Sequence, residues 1–269
     1  MSGFFHGVTV TNVDTGARSI ALPSSSIIGL VDTFTEGPTA TAKANDLVLI
    51  TSEREAIAAF GADAAITKAC QAIYARAKAV IVACGVAKLT DAAEQTSAII
   101  GSVEADGKRT GLQALLDGKS RFNAQPRLLV TPKHSATQAV GTALVALADK
   151  LRGLAIIDGP GTTDEAALAY AENFGAKRAF MVDPGVKYWD TGADATVDAP
   201  ASAWVAGLFA WTDNEYGFWA SPSNKEFVGI TGTTRAVEFL DGDETCRANL
   251  LNNANITTII RDDGFRLWG

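Results

Sequence analysis

Few side chains in this sequence are equipped for chemistry. It holds two histidines, His6 and His134, and three cysteines, Cys70, Cys84 and Cys246, in 269 residues. The cysteines are far apart, form no C-x-x-C pair and read as buried small hydrophobes in a reducing compartment. Two histidines and three scattered cysteines give no zinc-ligand spacing. No serine sits in a G-x-S-x-G elbow. His134, in Pro132-Lys-His-Ser135 ahead of a helical pattern, lacks a visible nucleophile partner. It reads as a solvated or capping residue. No catalytic residue, cofactor or metal is therefore expected.

Positive charge is also short. The net charge is −7, which leaves no basic stripe to neutralise phosphates or an anionic membrane surface. Neither nucleic acid nor membrane is an expected partner. Long apolar runs are missing too: the longest, Ala79–Ala87, falls well short of the roughly 20 residues a membrane helix needs. Met1–Gly7 shows no basic region followed by an apolar one, so no signal peptide is visible. A soluble protein made in the cytoplasm is expected. No internal repeat or low-complexity tract is present.

What the chain does have is a core. Hydrophobic residues make up 47% of it, enough for a folded α/β protein. Gly7-Val-Thr-Val-Thr-Asn-Val13 alternates and is β-branched, which predicts a strand. At the extreme terminus it could join its own sheet or a neighbour's. Ser25–Val31, Leu47–Ile50 and Val80–Val82 are apolar strands. Thr51–Phe60 predicts a helix ending at Gly61. Asp63–Lys78 predicts a second, with Ile66, Cys70, Ile73 and Ala77 on one face. After a helix near Asp91–Ile100 a regular alternation follows. Strands are predicted at Arg127–Val130, Leu154–Ile157 and Arg178–Val182, with helices at Ser135–Leu151 and Glu165–Phe174. Repeated β-α-β units with apolar strands predict a parallel or mixed sheet covered on both faces.

Ala199–Trp211 predicts a helix, Phe227–Thr231 and Val237–Leu240 strands, and Glu244–Asn252 a helix with Asp243 as its N-cap. A hairpin, Ile256–Arg261 and Phe265–Trp268, follows. The expected fold class is α/β (α+β mixed), with mixed and parallel sheets flanked by helices and an extended N-terminal β arm. The expected organisation is an arm over 1–20 and the first part of an α/β core domain over 21–100. An outer α/β domain over 101–250 and a return into the core over 251–269 complete it.

Two segments are candidate sites. Asp158-Gly-Pro-Gly-Thr-Thr-Asp164 lies between a strand and a helix, where α/β proteins bind phosphates. It is neither G-x-G-x-x-G nor a Walker loop, and Pro160 removes a backbone donor. A tight connection capped by Thr162 or Thr163 is the plainer reading; a nucleotide- or phosphate-binding enzyme is the alternative. The second segment is the aromatic block Leu208–Glu226, with no nucleophile–base pair. Trp211, Asp213, Phe218, Trp219, Pro222 and Asn224 read as a packing hub. Trp211, Phe218 and Trp219 would clamp the preceding helix onto the sheet, and Ser221–Asn224 would turn the chain back.

Taken together, several segments resemble the contractile tail sheath proteins of phages, most of all the sheaths of R-type bacteriocins (pyocins). They are Phe4–Val13, Gly111–Pro126, Ile157–Pro160, the Trp211…Asn224 block, Leu250–Ile256 and Arg261…Trp268-Gly269. The resemblance runs over essentially the whole chain. It implies a structural protein, not an enzyme, that polymerises as stacked six-fold rings around an inner tail tube above a baseplate. Its contraction drives the tube through a target envelope. It implies Gly7, Val8, Thr9, Val10, Thr11, Asn12 and Val13 as an inter-subunit arm. It implies assembly in the cytoplasm and then residence in a released tail particle or virion. The family continues past the Trp-Gly pair, so the chain reads as truncated before a C-terminal region.

Overall fold

The computed structural model describes residues 26–38 and 40–269. The expected arm, Gly7–Val13, lies outside the described residues. The elements, in chain order, are β1 (Ile28–Phe34), β2 (Leu47–Ile50), α1 (Glu53–Phe60), α2 (Ala65–Tyr74), β3 (Ile81–Ala87) and α3 (Ala92–Ile100). Then come α4 (Gly111–Ala114), α5 (Gly118–Phe122), β4 (Leu128–Val130), α6 (Gln138–Leu151), β5 (Leu154–Asp158), α7 (Asp164–Ala171) and β6 (Ala179–Val182). The chain closes with β7 (Val186–Asp190), β8 (Ala195–Ala199), α8 (Ser202–Glu215), β9 (Gly232–Thr233), α9 (Arg247–Asn253), β10 (Ile256–Arg261) and β11 (Phe265–Trp268).

One eight-stranded sheet organises the molecule, in the order β11-β10-β6-β5-β4-β1-β3-β2. Strands β1, β3, β4, β5, β6 and β10 are parallel, while β2 and β11 are antiparallel at the two edges. Side chains alternate between faces, and the core divides accordingly. Ile28, Leu30, Ile81, Ala83, Leu128 and Val130 point toward α1, α2 and α8. Val31, Val82, Cys84, Leu129, Ala155 and Ile157 point toward α3, α4 and α6. Burial on both faces is why these strands are continuously apolar. A third cluster, around Met181, Leu251, Ile256 and Ile260, packs α7 and α9 near the β10 end. A second sheet of three strands, β8-β7-β9, stands apart.

Local chemistry sets the helix ends. Ser52 accepts from Glu55 N at 3.4 Å, while Glu55 accepts from Thr51 N at 2.7 Å, a reciprocal cap. Asp91 caps α3 through Ala93 N and Glu94 N. Thr163 caps α7 through Ala166 N. α6 ends with Arg152 in the left-handed region and Gly153 N donating to Ala148 O.

Strand β4, from the expected outer domain, pairs with β1 of the expected core along Ile28–Leu30, so one sheet runs across residue 100. Two expectations need correction, and one hairpin went unforeseen. Phe227–Thr231 and Val237–Leu240 are not strands; the first contributes Phe227 N to Phe265 O beside β11, and the second crosses α7 and α9 as an irregular strap. The β7–β8 hairpin was not anticipated. Its turn is tied by Asp190 Oδ1, which accepts from Gly192 N and Ala193 N. Asp243 holds a turn through Thr245 N and Oγ1 rather than capping α9, which begins after Cys246.

Candidate functional site

The Asp158–Asp164 loop is occupied by the protein's own groups. Asp158 ends β5 with its carboxylate buried. It accepts from Ser202 N at 2.8 Å, Ser202 Oγ at 2.7 Å, Lys133 N at 3.1 Å and Ser135 Oγ at 3.1 Å. Burial raises its pKa, and the Ser202, Lys133 and Ser135 donors pull it back. Gly161 N, a donor a phosphate would use, goes to Asp183 Oδ2 at 2.6 Å. A Cβ at Gly159 would stand 2.4 Å from that same Oδ2, so only glycine fits there. Burial pushes the Asp183 carboxyl up to about 6, against the Gly161 N–H. Arg235 bridges Asp183 and Asp164, and Arg247 Nη2 reaches Asp164 at 2.6 Å. With its carboxylates paired and Gly161 N already used, the loop is a closed structural joint.

A crevice of about 760 Å³ opens at the carboxyl ends of β1 and β4. There the strand order reverses, which is where open α/β sheets commonly bind ligands. At its floor His134 Nε2 lies 3.3 Å from Asp32 Oδ1. Sequence reading missed this partner because the two are a hundred residues apart, on β1 and after β4. Lys68 Nζ, from α2, meets Asp190 Oδ2 at 2.5 Å on another wall. Among the described residues that line the crevice there is no serine or cysteine to act as a nucleophile beside the His134–Asp32 pair. Burial pushes the Cys70 thiol above its ordinary value and the Cys84 thiol up to about 12, which makes them inert. The crevice's rim carries Trp189, 52% exposed, and Leu89, 39% exposed.

The aromatic block divides in two. Trp211 is half-buried, with the Arg76 guanidinium 3.8 Å from its ring centre and Tyr216 edge-on at 5.7 Å. Lys225 Nζ lies 4.3 Å from the Tyr216 ring. Asp213 is half-buried on α8, and Pro222 is buried. Asn224 takes a positive φ of 58° and its N–H donates to Leu267 O at 2.6 Å, so Ser221–Asn224 bends the chain toward β11. Phe218 and Trp219 are different: 72% and 76% exposed, they touch each other at 5.3 Å and clamp nothing. Their place in the expected hub is withdrawn. α8 ends at Glu215, and positive φ at Gly217 swings the next two rings outward.

Among the described residues no cluster of His, Cys, Asp and Glu could hold a metal, and no helix is long and apolar enough to cross a membrane. The scaffold is a mixed α/β sheet flanked by helices, and the Asp158–Asp164 loop is closed by its own side chains.

Comparison with known proteins supplies the family. Residues 107–269 match the phage tail sheath protein central domain, and residues 25–84 match the N-terminal region of domain III of the tail sheath protein Gp18. The chain is 71% identical to a putative prophage major tail sheath protein of Pseudomonas aeruginosa, over 99% of its own length and 69% of that protein's. It is 36% identical to the tail sheath protein of Escherichia phage P2, over 100% of its length and 69% of the relative's. Its fold resembles the cryo-EM structure of the anti-feeding prophage helical sheath in the contracted state. The TM-score is 0.62 at 20% identity, over 97% of this chain and 68% of that one. The chain belongs to the phage tail sheath family. It is a structural sheath subunit and not an enzyme.

Proposed function

We propose that copies of this protein stack as six-membered rings in a helical sheath around an inner tail tube, joined to a baseplate. Contraction of that sheath drives the tube through a target envelope. The carrying observation is the 71% identity, across nearly the whole chain, to a prophage tail sheath protein. The likeness to a helical sheath caught contracted supports it. Assembly takes place in the bacterial cytoplasm, and the sheath then forms part of a released tail particle.

In this reading Gly7–Val13 is the link between subunits, an added strand on a neighbour's sheet. A strand of a few hydrogen bonds at roughly 1 kcal/mol net each makes a weak single link. Many copies together keep the mesh joined while rings move. The test is to produce the protein together with its tail tube, with and without residues 1–20. Electron microscopy should show long sheaths with the arm and none without it. Sheaths of normal length from the shortened chain would overturn the arm assignment, and no sheath from either chain would overturn the assembly itself.

A further inference from the structure

β1 begins at Ile28, and the chain that leads into it, residues 1–25, lies outside the described residues. That entry stands at the end of the large sheet opposite the crevice. α8 starts at the crevice, where Ala203 and Trp204 line it. It runs Ser202–Glu215, about 21 Å at 1.5 Å per residue, so its last turn reaches the end where β1 starts. α2 finishes there too: it stops at Tyr74, and Val80 O, six residues on, accepts from Ile28 N at 2.9 Å. At this end the Arg76 guanidinium lies over the Trp211 ring, and Tyr216 sits edge-on to Trp211, half exposed.

We propose that residues 18–25 lie across the ends of α2 and α8 of their own copy, with Ile20 and Leu22 against Trp211 and Tyr216. Reach allows it: the six residues from Ser26 back to Ile20 extend to about 20 Å. Two donors at this surface need an acceptor. Tyr74 Oη and Arg76 Nε are buried and have no hydrogen-bond partner among the described residues, and an orphaned buried donor is costly. A strip of backbone brings a carbonyl at every residue. Charge fits as well. Trp211 and Glu215, four residues apart, share a face of α8. Glu215 is exposed and makes no ion pair among the described residues. Arg18 is the one charged side chain of residues 18–25. The same segment offers Ile20, Leu22 and Pro23, apolar groups that an aromatic face can cover. The docking stands on this chain alone. It also fixes where the Gly7–Val13 arm leaves the body, and only that consequence rests on the sheath reading.

All three native cysteines are buried, so introduced ones can be addressed alone. The double variant Ser19→Cys with Asn214→Cys places one thiol beside Ile20 and one on the exposed last turn of α8. A short bismaleimide should join them within one copy, at a rate that does not change with protein concentration. Ser19→Cys with Thr90→Cys, at the crevice end, should link at least about tenfold less, because the docked segment holds its thiol far from that site. Adding Tyr216→Ala should slow the first link by about tenfold, as for loss of one central aromatic; circular dichroism checks that the variant is folded. Tyr74→Phe, which deletes only the hydroxyl, should slow it as well. Equal linking by both pairs, or linking that Tyr216→Ala and Tyr74→Phe leave unchanged, would overturn the docking. So would linking found only between copies, read as dimers when the two single variants are mixed, since the occupant would then be a neighbour's segment. Deleting residues 1–13 should keep the link while sheaths are lost; loss of the link as well would overturn residues 18–25 as the anchor. A link that persists in a protein giving no sheaths with its tail tube would overturn the sheath reading and leave the docking standing.

Discussion

At Trp219 the ring is surrounded by solvent and by its neighbours Gly217 and Phe218. An aromatic-rich segment predicts burial from composition, but burial is decided by where the helix ends, and α8 ends too early to bring residues 218–219 back. Trp219→Ala should therefore change stability by no more than about 0.5 kcal/mol, the usual range for surface positions. Leu144→Ala, fully buried between α6 and the sheet, should cost about 2–5 kcal/mol. Urea unfolding of the two variants separates them. The His134–Asp32 pair was likewise hidden from sequence: each half looks ordinary until β1 and β4 become neighbours. Burial was legible for Cys84 from its apolar neighbours and for Cys70 from its place on the Ile66–Ile73 face, whereas Cys246 sits among polar residues in the sequence.

Elements with period and length were readable. The parallel strands announce themselves because they are covered on both faces, and α1, α3 and α7 carry their caps in the sequence. β7 and β8 were not, because each keeps one face partly in water and their pairing depends on a turn built by Asp190. Residues 237–240 misled in the other direction. Val237 and Phe239 are apolar because they pack with α7 and α9, without joining a ladder. The α2–α8 contact offers a test at this scale. Gly207 lets α8 approach α2 so closely that an added Cβ would meet Ile73 O at 2.7 Å. Because backbone, not a flexible side chain, blocks the methyl group, Gly207→Ala should cost about 1–3 kcal/mol through forced separation of the helices. A fall in thermal midpoint with unchanged helix content would check it.

Across the whole molecule, the strand order lay beyond the sequence, because apolar strands do not name their neighbours. That one sheet crosses residue 100 was hidden for that reason. The family was legible from scattered segments, and homology supplies it independently. The small sheet is tied to the main body by Lys68 and Asp190, from α2 and β7. Lys68 chiefly, with the Gly192 and Ala193 N–H groups, holds the Asp190 carboxyl below its usual range, and Asp190 holds Lys68 above its own. Asp190 thus contributes stability above pH about 4, near the ordinary aspartate value, and loses it as the pH falls through the depressed value. Lys68 contributes below pH about 10, its ordinary value, and loses it above the raised one. Since Lys68 is part exposed, the tie is worth no more than about 1 kcal/mol. Asp190→Asn should lower the unfolding midpoint at pH 7, with the gap to wild type closing as the pH falls below the carboxylate range. A constant gap down to pH 2 would refute the tie.

β11 is hydrogen-bonded on both sides. β10 flanks it along Thr258–Arg261, and on the other side Asn224 N, Phe227 N and Lys225 O bond to Leu267 and Phe265. Its edge is thereby closed to strand addition, whereas β2, among the described residues, pairs only with β3 at the other margin of the large sheet. A pull along β11 would load both flanking ladders together, in shear, and every bond would have to slip at once. Peeling a lone edge strand breaks its bonds in turn. A load along β11 would therefore meet more bonds at once than one along β2.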